Sequence, residues 1–210
     1  MKKLGLDAFT LKVIALISMT IDHIGYFLFP DILFLRIIGR VAFVIFAYFT
    51  ANAYIHSSNK IKHGLTLLGC GLVFDIFTII SNQYYVSNIF ITLAFGYFLI
   101  MTFDKKQYLL SLLLLIIVHF WQMDYGYYGV ILIFMCYIFY KQIDLLVIVN
   151  LVLVMFFSQL NIVSDVQYYS CFGLMLLYFY NFKKGRSMKY LFYIYYPLHI
   201  VIIQIVAQYM

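Results

Sequence analysis

The sequence contains no glutamate, and charged residues of any kind make up only 10% of its 210 positions. No polar interval between its apolar runs is long enough to form a soluble domain. Because 66% of the residues are hydrophobic and 21% are aromatic, this scarcity of charge excludes a soluble globular protein. The composition instead predicts an all-α, polytopic membrane protein, with residues 1–210 forming a single integral-membrane domain.

Cysteine is also rare, and its positions exclude two further classes of protein. Cys70, Cys136 and Cys171 are far apart and all lie within apolar runs. Their odd number and wide spacing fit neither a disulfide framework nor a zinc site. A thiol in such a run behaves as a small hydrophobic group, so we interpret all three as packing residues and predict no metal.

Nine apolar segments are long enough to be considered as membrane spans. A span needs about 20 residues, and fewer where protein rather than lipid surrounds it. The segments are approximately residues 11–29, 37–55, 64–80, 86–102, 107–121, 126–140, 143–160, 168–182 and 190–208. The sequence therefore predicts a transmembrane bundle of about nine helices.

Basic residues are distributed unevenly among the predicted loops. If the N-terminus is cytoplasmic, the outer loops contain Asp31, Asp124 and Asp165, and most of the 14 basic residues lie on the inner side. The inner residues are Lys2, Lys3, Lys12, Lys60, Lys62, Lys105, Lys106, Lys141, Lys183, Lys184, Arg186 and Lys189. This asymmetry predicts a multi-pass protein of the cell membrane with the N-terminus inside and the C-terminus outside. The net charge of +6 is thus a topology signal, and no nucleic-acid partner is predicted.

Arg36 and Arg40 are the exceptions, because they lie at the outer start of the second predicted span. Four residues apart on a helix, they share one face and can act together on one anion or one carbonyl oxygen. The alternative is that both are interfacial anchors whose side chains extend to the lipid headgroups.

Few ionisable residues are predicted at membrane depth: Asp22 and His23 in the first span, Arg40 in the second, Asp75 in the third and His199 in the ninth. Each costs about 2.5–3.5 kcal/mol on insertion scales, so such side chains face the protein interior. Their predicted depths are compatible with one shared polar cavity.

Structural explanations remain open for each of these residues. Asp22 can form a purely structural ion pair with one of the two arginines. Asp75 is equally suited to orient a histidine or to cap an arginine. His199 follows Pro197, which frees a backbone carbonyl for a neighbouring side chain, so His199 is either structural or functional.

Lys12 and His23 are related by helix geometry. Their separation of eleven positions equals three turns plus about 20°, which places them on one face about 16 Å apart along the axis. A long ligand with an anionic head at the cytoplasmic surface and a reactive tail deeper in the membrane would fit this line. The alternative is that Lys12 is only one more inside-positive charge.

Three segments together resemble the TraX family of membrane proteins. They are Ile21-Asp22-His23-Ile24-Gly25, Leu35-Arg36-Ile37-Ile38-Gly39-Arg40-Val41-Ala42-Phe43 and Phe192-Tyr193-Ile194-Tyr195-Tyr196-Pro197-Leu198-His199. The resemblance implies N-terminal acetylation of pilin subunits at the bacterial inner membrane. It also implies a relation to the acyltransferase-three superfamily, in which a basic residue precedes a histidine as Lys12 precedes His23. The paired arginines of that superfamily are matched only loosely by Arg36 and Arg40.

An acetyltransferase of this kind implies specific roles for the residues singled out above. His23 is the expected base, because an imidazole titrates near neutral pH. Asp22 is expected to pair with an arginine or with the acceptor ammonium, and Asp75 to orient the imidazole. Arg36 and Arg40 would stabilise the thioester oxyanion or hold the acceptor, and His199 would complete the site.

The implied co-substrate is acetyl-CoA, supplied from the cytoplasm. Its phosphates would be neutralised by a basic group of residues, namely Lys12, Lys183, Lys184 and Arg186. The last three also satisfy the positive-inside rule with no ligand, so this role is one of two interpretations.

Other functions remain compatible with the sequence. Transfer through an acetylated His23 is an alternative to direct transfer. The acceptor can be a peptide amine or a hydroxyl of a surface glycan. A proton-coupled transporter of small molecules is the alternative from another class, although the chain shows no internal repeat of the kind such proteins often have.

Overall fold

The computed structural model describes residues 5–80, 88–121, 123–187 and 191–210. Within these ranges, nine α-helices account for the regular structure, together with two 3₁₀ segments at Asp165–Ser170 and Leu177–Phe179. The helices are α1 Ala8–Phe27, α2 Leu33–His56, α3 Lys60–Ile80, α4 Ile89–Asp104, α5 Tyr108–Phe120, α6 Gly126–Ile138, α7 Ile143–Gln159, α8 Cys171–Leu176 and α9 Leu191–Gln208. The predicted all-α class is therefore confirmed.

Four of the described helices, α1, α2, α3 and α9, are long and apolar enough to cross a membrane. The helices α4 to α7 are also apolar but have only 13 to 17 residues. The protein is thus a helical membrane protein, while the count of nine spans and the orientation of the termini stay predictions. The predicted residues Lys2, Lys3 and Lys189, and the first residues of the segments 86–102 and 190–208, lie outside the described ranges.

The segment predicted as a span over residues 168–182 is not one regular α-helix. This segment contains α8, which has only six residues, between the two 3₁₀ segments. Gly173 lies at a close contact with α2, where an added Cβ would be 2.4 Å from Val44 Cγ2 and 2.7 Å from the carbonyl oxygen of Val41. A glycine at this position permits the approach but weakens a helix by about 1 kcal/mol relative to alanine.

The chain forms two compact units. The first unit contains Met1–Phe46, Ile143–Leu151 and Ser164–Met210, and the second contains Ala47–Gln142 and Val152–Val163. Most of α4 is buried in the second unit, where Ile91, Phe95 and Leu99 pack in one apolar cluster with residues of its neighbours. Since α2 and α7 each contribute residues to both units, the predicted single domain over residues 1–210 stays a prediction.

In the first unit, a short backbone pairing holds the start of α1. The amide of Leu6 donates to the carbonyl of Phe179 at 2.7 Å, and the amide of Ala8 donates to the carbonyl of Lys183 at 2.9 Å. Asp7 caps α1 by accepting hydrogen bonds of 2.8 Å from both the amide and the hydroxyl of Thr10. These bonds lower the pKa of the Asp7 carboxyl below its usual value. The pairing places the basic segment after Phe182 beside the first turn of α1.

Candidate functional site

The helices α1 and α2 approach closely in the first unit. An added Cβ at Gly39 would lie 2.0 Å from Asp22 Oδ1, so no larger residue fits there without displacement of the carboxylate. About one turn earlier along α1, the hydroxyl of Ser18 donates to the carbonyl of Ile38 at 2.5 Å. This approach brings the acidic side chain of α1 directly against the arginines of α2.

Asp22 binds both arginines at once. Its Oδ2 lies 2.9 Å from Arg36 Nη1, and its Oδ1 lies 2.5 Å from Arg40 Nη2. Arg36 Nη1 also donates to the backbone carbonyl of Asp22 at 3.1 Å. The expected pairing of Asp22 with an arginine is therefore observed, and both carboxylate oxygens are used.

Gln167 is a member of this cluster that sequence reasoning missed. It belongs to the 3₁₀ segment Asp165–Ser170, it is 1% exposed, and its Oε1 accepts a hydrogen bond from Arg40 Nη1 at 3.3 Å. An uncharged residue in a predicted outer loop gives no signal of burial. Only the fold of the 3₁₀ segment places this amide beside the arginine.

His23 of α1 and His199 of α9 form a hydrogen-bonded pair. His23 Nδ1 lies 2.7 Å from His199 Nε2, and the ring planes are within 20° of parallel with centroids 4.9 Å apart. The other ring nitrogen of His199, Nδ1, lies 2.8 Å from the carbonyl oxygen of Tyr195. His199 is 5% exposed, so both of its ring nitrogens are directed at protein groups.

This chain of contacts fixes the tautomers of a neutral histidine pair. A carbonyl oxygen only accepts, so His199 carries its proton on Nδ1 and presents a lone pair at Nε2. The hydrogen bond between the rings then requires the proton of His23 to be on Nδ1. The remaining nitrogen of His23, Nε2, consequently holds a lone pair, which is the form that a general base needs.

The ion cluster and the histidine pair belong to one site. Arg36 and Arg40 are both close enough to His23 for an electrostatic interaction with its ring. Five of the six residues predicted to be catalytic are therefore together in the first unit: Asp22, His23, Arg36, Arg40 and His199.

Asp75, the sixth predicted residue, belongs to the second unit. Its Oδ1 accepts a hydrogen bond from Asn88 Nδ2 at 3.0 Å, and the same nitrogen donates to the carbonyl of Gly71 at 2.6 Å. Asn88 also caps α4 through its Oδ1, which accepts from the amide of Phe90 at 2.9 Å. In the described part of the chain, His23 Nδ1 donates its hydrogen bond to His199, and Asp75 joins α3 to the cap of α4.

The residues predicted to bind the coenzyme gather at the first turn of α1. Lys183, Lys184 and Arg186 lie in the exposed segment that is paired with the residues before this helix. Lys184 is close enough to Lys12 for an electrostatic interaction. Exposed ammonium and guanidinium groups are the donors that phosphates require, so this donor set fits the phosphates of a coenzyme.

Among the described residues, no group of three or more histidine, cysteine or acidic side chains is arranged to hold a metal ion. The three cysteines are free thiols. The chemical resources of the site are thus a hydrogen-bonded imidazole pair, two guanidinium groups that share one carboxylate, and a separate basic surface.

Comparison with known proteins gives three matches. The model of the family described as TraX protein matches residues 8–207. An uncharacterized protein of Rickettsia prowazekii is 38% identical over 88 residues, which are 41% of this chain and 33% of that protein. A probable fimbrial assembly protein, FimC of Dichelobacter nodosus, is 25% identical over 237 aligned positions, which cover 96% of each chain. The chain thus spans about a third of the first relative, and no solved structure matches it.

Proposed function

Because the chain belongs to the TraX family, we propose that it is a membrane-embedded acetyltransferase of the cell membrane, transferring acetyl groups from cytoplasmic acetyl-CoA to an outer acceptor. The proposed acceptor is the N-terminal amine of a secreted peptide or protein, with a pilus subunit as the preferred class. Both the family resemblance and the name of the fimbrial assembly relative support this class of acceptor.

The observation that carries the proposal is the histidine pair with its defined tautomers. A free N-terminal amine has a pKa of about 8, so a sizeable fraction is already in the nucleophilic form near neutral pH. As the amine nitrogen forms a bond to the thioester carbonyl carbon, it becomes positively charged and acidic. His23 Nε2 takes that proton, and the charge gained by the ring is stabilised by its hydrogen bond to His199.

The reaction then proceeds by cleavage of the carbon–sulfur bond. The carbonyl oxygen that became negative on attack returns to a double bond, the sulfur leaves as a thiolate, and the proton held by His23 neutralises that thiolate. Two charges therefore appear and disappear together, one negative on the oxygen and one positive on His23. Guanidinium groups near the ring supply the donors that stabilise the oxygen.

The basic surface at the start of α1 supports the proposed direction of transfer. The two ends of the proposed path, Lys12 and His23, lie on one face of the same helix about 16 Å apart. This is a length that an extended coenzyme can cover. We assign binding of the coenzyme phosphates to the basic group, namely Lys12, Lys183, Lys184 and Arg186.

Inverted membrane vesicles test this proposal, because they present the cytoplasmic side to the medium and enclose the acceptor. Acetyl-CoA labelled in the acetyl group is added outside, and a peptide with a free N-terminus is trapped inside. We expect label on the peptide α-amine with the wild-type protein and none with His23→Ala. His119→Ala, at the exposed end of α5, is the matched control and retains activity.

Three other outcomes would contradict parts of the proposal. Label on an enclosed glycan hydroxyl would change the acceptor class, and uptake of label without covalent transfer would indicate a transporter. Full activity of a correctly inserted His23→Ala variant would remove the assigned base. Mass spectrometry of secreted peptides and surface polymers, in cells with and without the protein, then identifies the natural acceptor.

A further inference from the structure

The two arginines of the site have unequal surroundings. Arg40 has a side chain that is only 9% exposed, and all three of its guanidinium nitrogens are engaged. Nε donates to the carbonyl of Arg36 at 3.2 Å, Nη1 to Gln167 Oε1 at 3.3 Å, and Nη2 to Asp22 Oδ1 at 2.5 Å. Its guanidinium is therefore fixed in position and in rotation.

Arg36 uses a single nitrogen for its contacts within the described residues. Nη1 contacts the Asp22 carboxylate and the Asp22 carbonyl, whereas Nε and Nη2 make no hydrogen bond in this part of the chain. The side chain is 26% exposed, and its Cζ lies 4.9 Å from the centre of the Tyr26 ring. An aromatic face and a carboxylate thus orient a guanidinium that still has donors to offer.

We propose that the two arginines have separate functions: Arg36 donates to the substrate carbonyl oxygen, whereas Arg40 and Gln167 are positioning residues. The inference rests on the proposed acetyl transfer, because it assigns roles within that reaction. The contacts are connected in series. Gln167 accepts a hydrogen bond from Arg40, Arg40 pairs with one carboxylate oxygen of Asp22, and the other oxygen pairs with Arg36.

The chemistry of the two positions supports this division. A donor to a developing oxyanion has to be oriented before the reaction and must be accessible to the substrate, and Arg36 meets both conditions. Arg40 is buried, and each of its three guanidinium nitrogens already donates a hydrogen bond, so its contribution is to keep the Asp22 carboxylate from rotating. Gln167 completes that arrangement without adding a charge to the interior.

Chemical rescue separates the two roles in the purified protein reconstituted in lipid vesicles. For Arg36→Ala, we expect kcat to fall roughly 10²–10³-fold, as for loss of an oxyanion donor, and to recover partly with millimolar guanidinium. For Arg40→Ala, we expect loss of activity, a lower melting temperature and no rescue, because the position is buried. If Arg36→Ala does not accumulate in the membrane, Arg36→Lys is tested instead. We expect the same loss of kcat, because lysine keeps the charge but lacks the planar guanidinium with its several N–H donors.

Gln167 is tested with a pair of variants of similar size. Gln167→Met removes the acceptor, so kcat falls while the KM for acetyl-CoA is unchanged. Gln167→Glu keeps an acceptor oxygen and restores kcat, and Gln204→Met on α9 is the control that leaves kcat unaltered. Rescue of Arg40→Ala but not of Arg36→Ala would reverse the assignment, and wild-type kcat in Gln167→Met would refute the positioning role. If the wild type transfers no acetyl group, the proposed function itself fails and this inference fails with it.

Discussion

Replacing His199 by phenylalanine gives the sharpest test of the histidine pair. The change keeps an aromatic ring in the position that packs on Tyr195 and Tyr196, but it removes the nitrogen that lies 2.7 Å from His23 Nδ1. His23 then loses the partner that fixes its tautomer and that accepts its Nδ1–H hydrogen bond when the ring becomes charged. We therefore expect His199→Phe to be slower but not inactive.

The size of this effect follows from the hydrogen bond. A neutral hydrogen bond contributes about 0.5–1.5 kcal/mol, and one to a charged group about 1.5–3 kcal/mol. The bond between the rings thus stabilises the charged state by roughly 1–1.5 kcal/mol more than the ground state, which corresponds to about tenfold in rate. Loss of the proposed base in His23→Ala should cost more, on the order of 10²–10⁴-fold.

The assay is the rate of peptide acetylation by equal amounts of reconstituted protein, for both single variants and the double variant. If His199 acts through His23, the double variant is no slower than His23→Ala, because the partner has nothing left to orient. Independent, multiplicative losses in the double variant would refute the reasoning. A wild-type rate in His199→Phe would also refute it.

Three further predictions concern other parts of the first unit. Gly39→Ala should lower stability by about 1–3 kcal/mol in thermal unfolding, because the new Cβ meets Asp22, whereas Gly69→Ala has no atom within 4 Å of its Cβ and should not. Hydrogen bonds depress the pKa of Asp7 in the folded state, so its contribution to stability is complete above its ordinary pKa and is lost as the pH falls through the folded-state pKa. In pH titrations of unfolding, Asp7→Asn should abolish this loss of stability in acid. Lys184→Ala should raise the KM for acetyl-CoA several-fold with kcat unchanged, and an unchanged KM would argue against the coenzyme role of the basic surface.

The sequence predicted the residue types of the site because a membrane penalises each of them. Charged and imidazole side chains within apolar runs are few, so Asp22, His23, Arg40 and His199 could be selected by composition alone. Within one helix, the spacing of Arg36 and Arg40 predicted that the two side chains share a face. The convergence of residues from different helices depends on helix packing, which the sequence does not contain. The all-α class followed from the same reasoning, since backbone groups in lipid must be satisfied within a segment or a closed barrel.

Other features could not be predicted, because they depend on contacts between distant segments. Asp75 lies in an apolar run of the sequence, as Asp22 does, yet its described partner is the side-chain amide of Asn88. Gln167 carries no charge and follows a loop, so nothing in its local sequence marks it as buried. The tight contact of Gly173 with α2 likewise joins distant segments, and no hydropathy pattern contains it.

The adjacency of Asp22 and His23 is explained by the geometry of α1. Neighbouring residues on a helix project about 100° apart, so the two side chains cannot both face the same partner helix. Asp22 contacts the arginines of α2, and His23 contacts the histidine of α9. One helix therefore holds both arginines through one residue and contributes the next residue to the histidine pair. Because both contacts depend on the same backbone, any shift of α1 along its axis would displace the ion cluster and the histidine pair together.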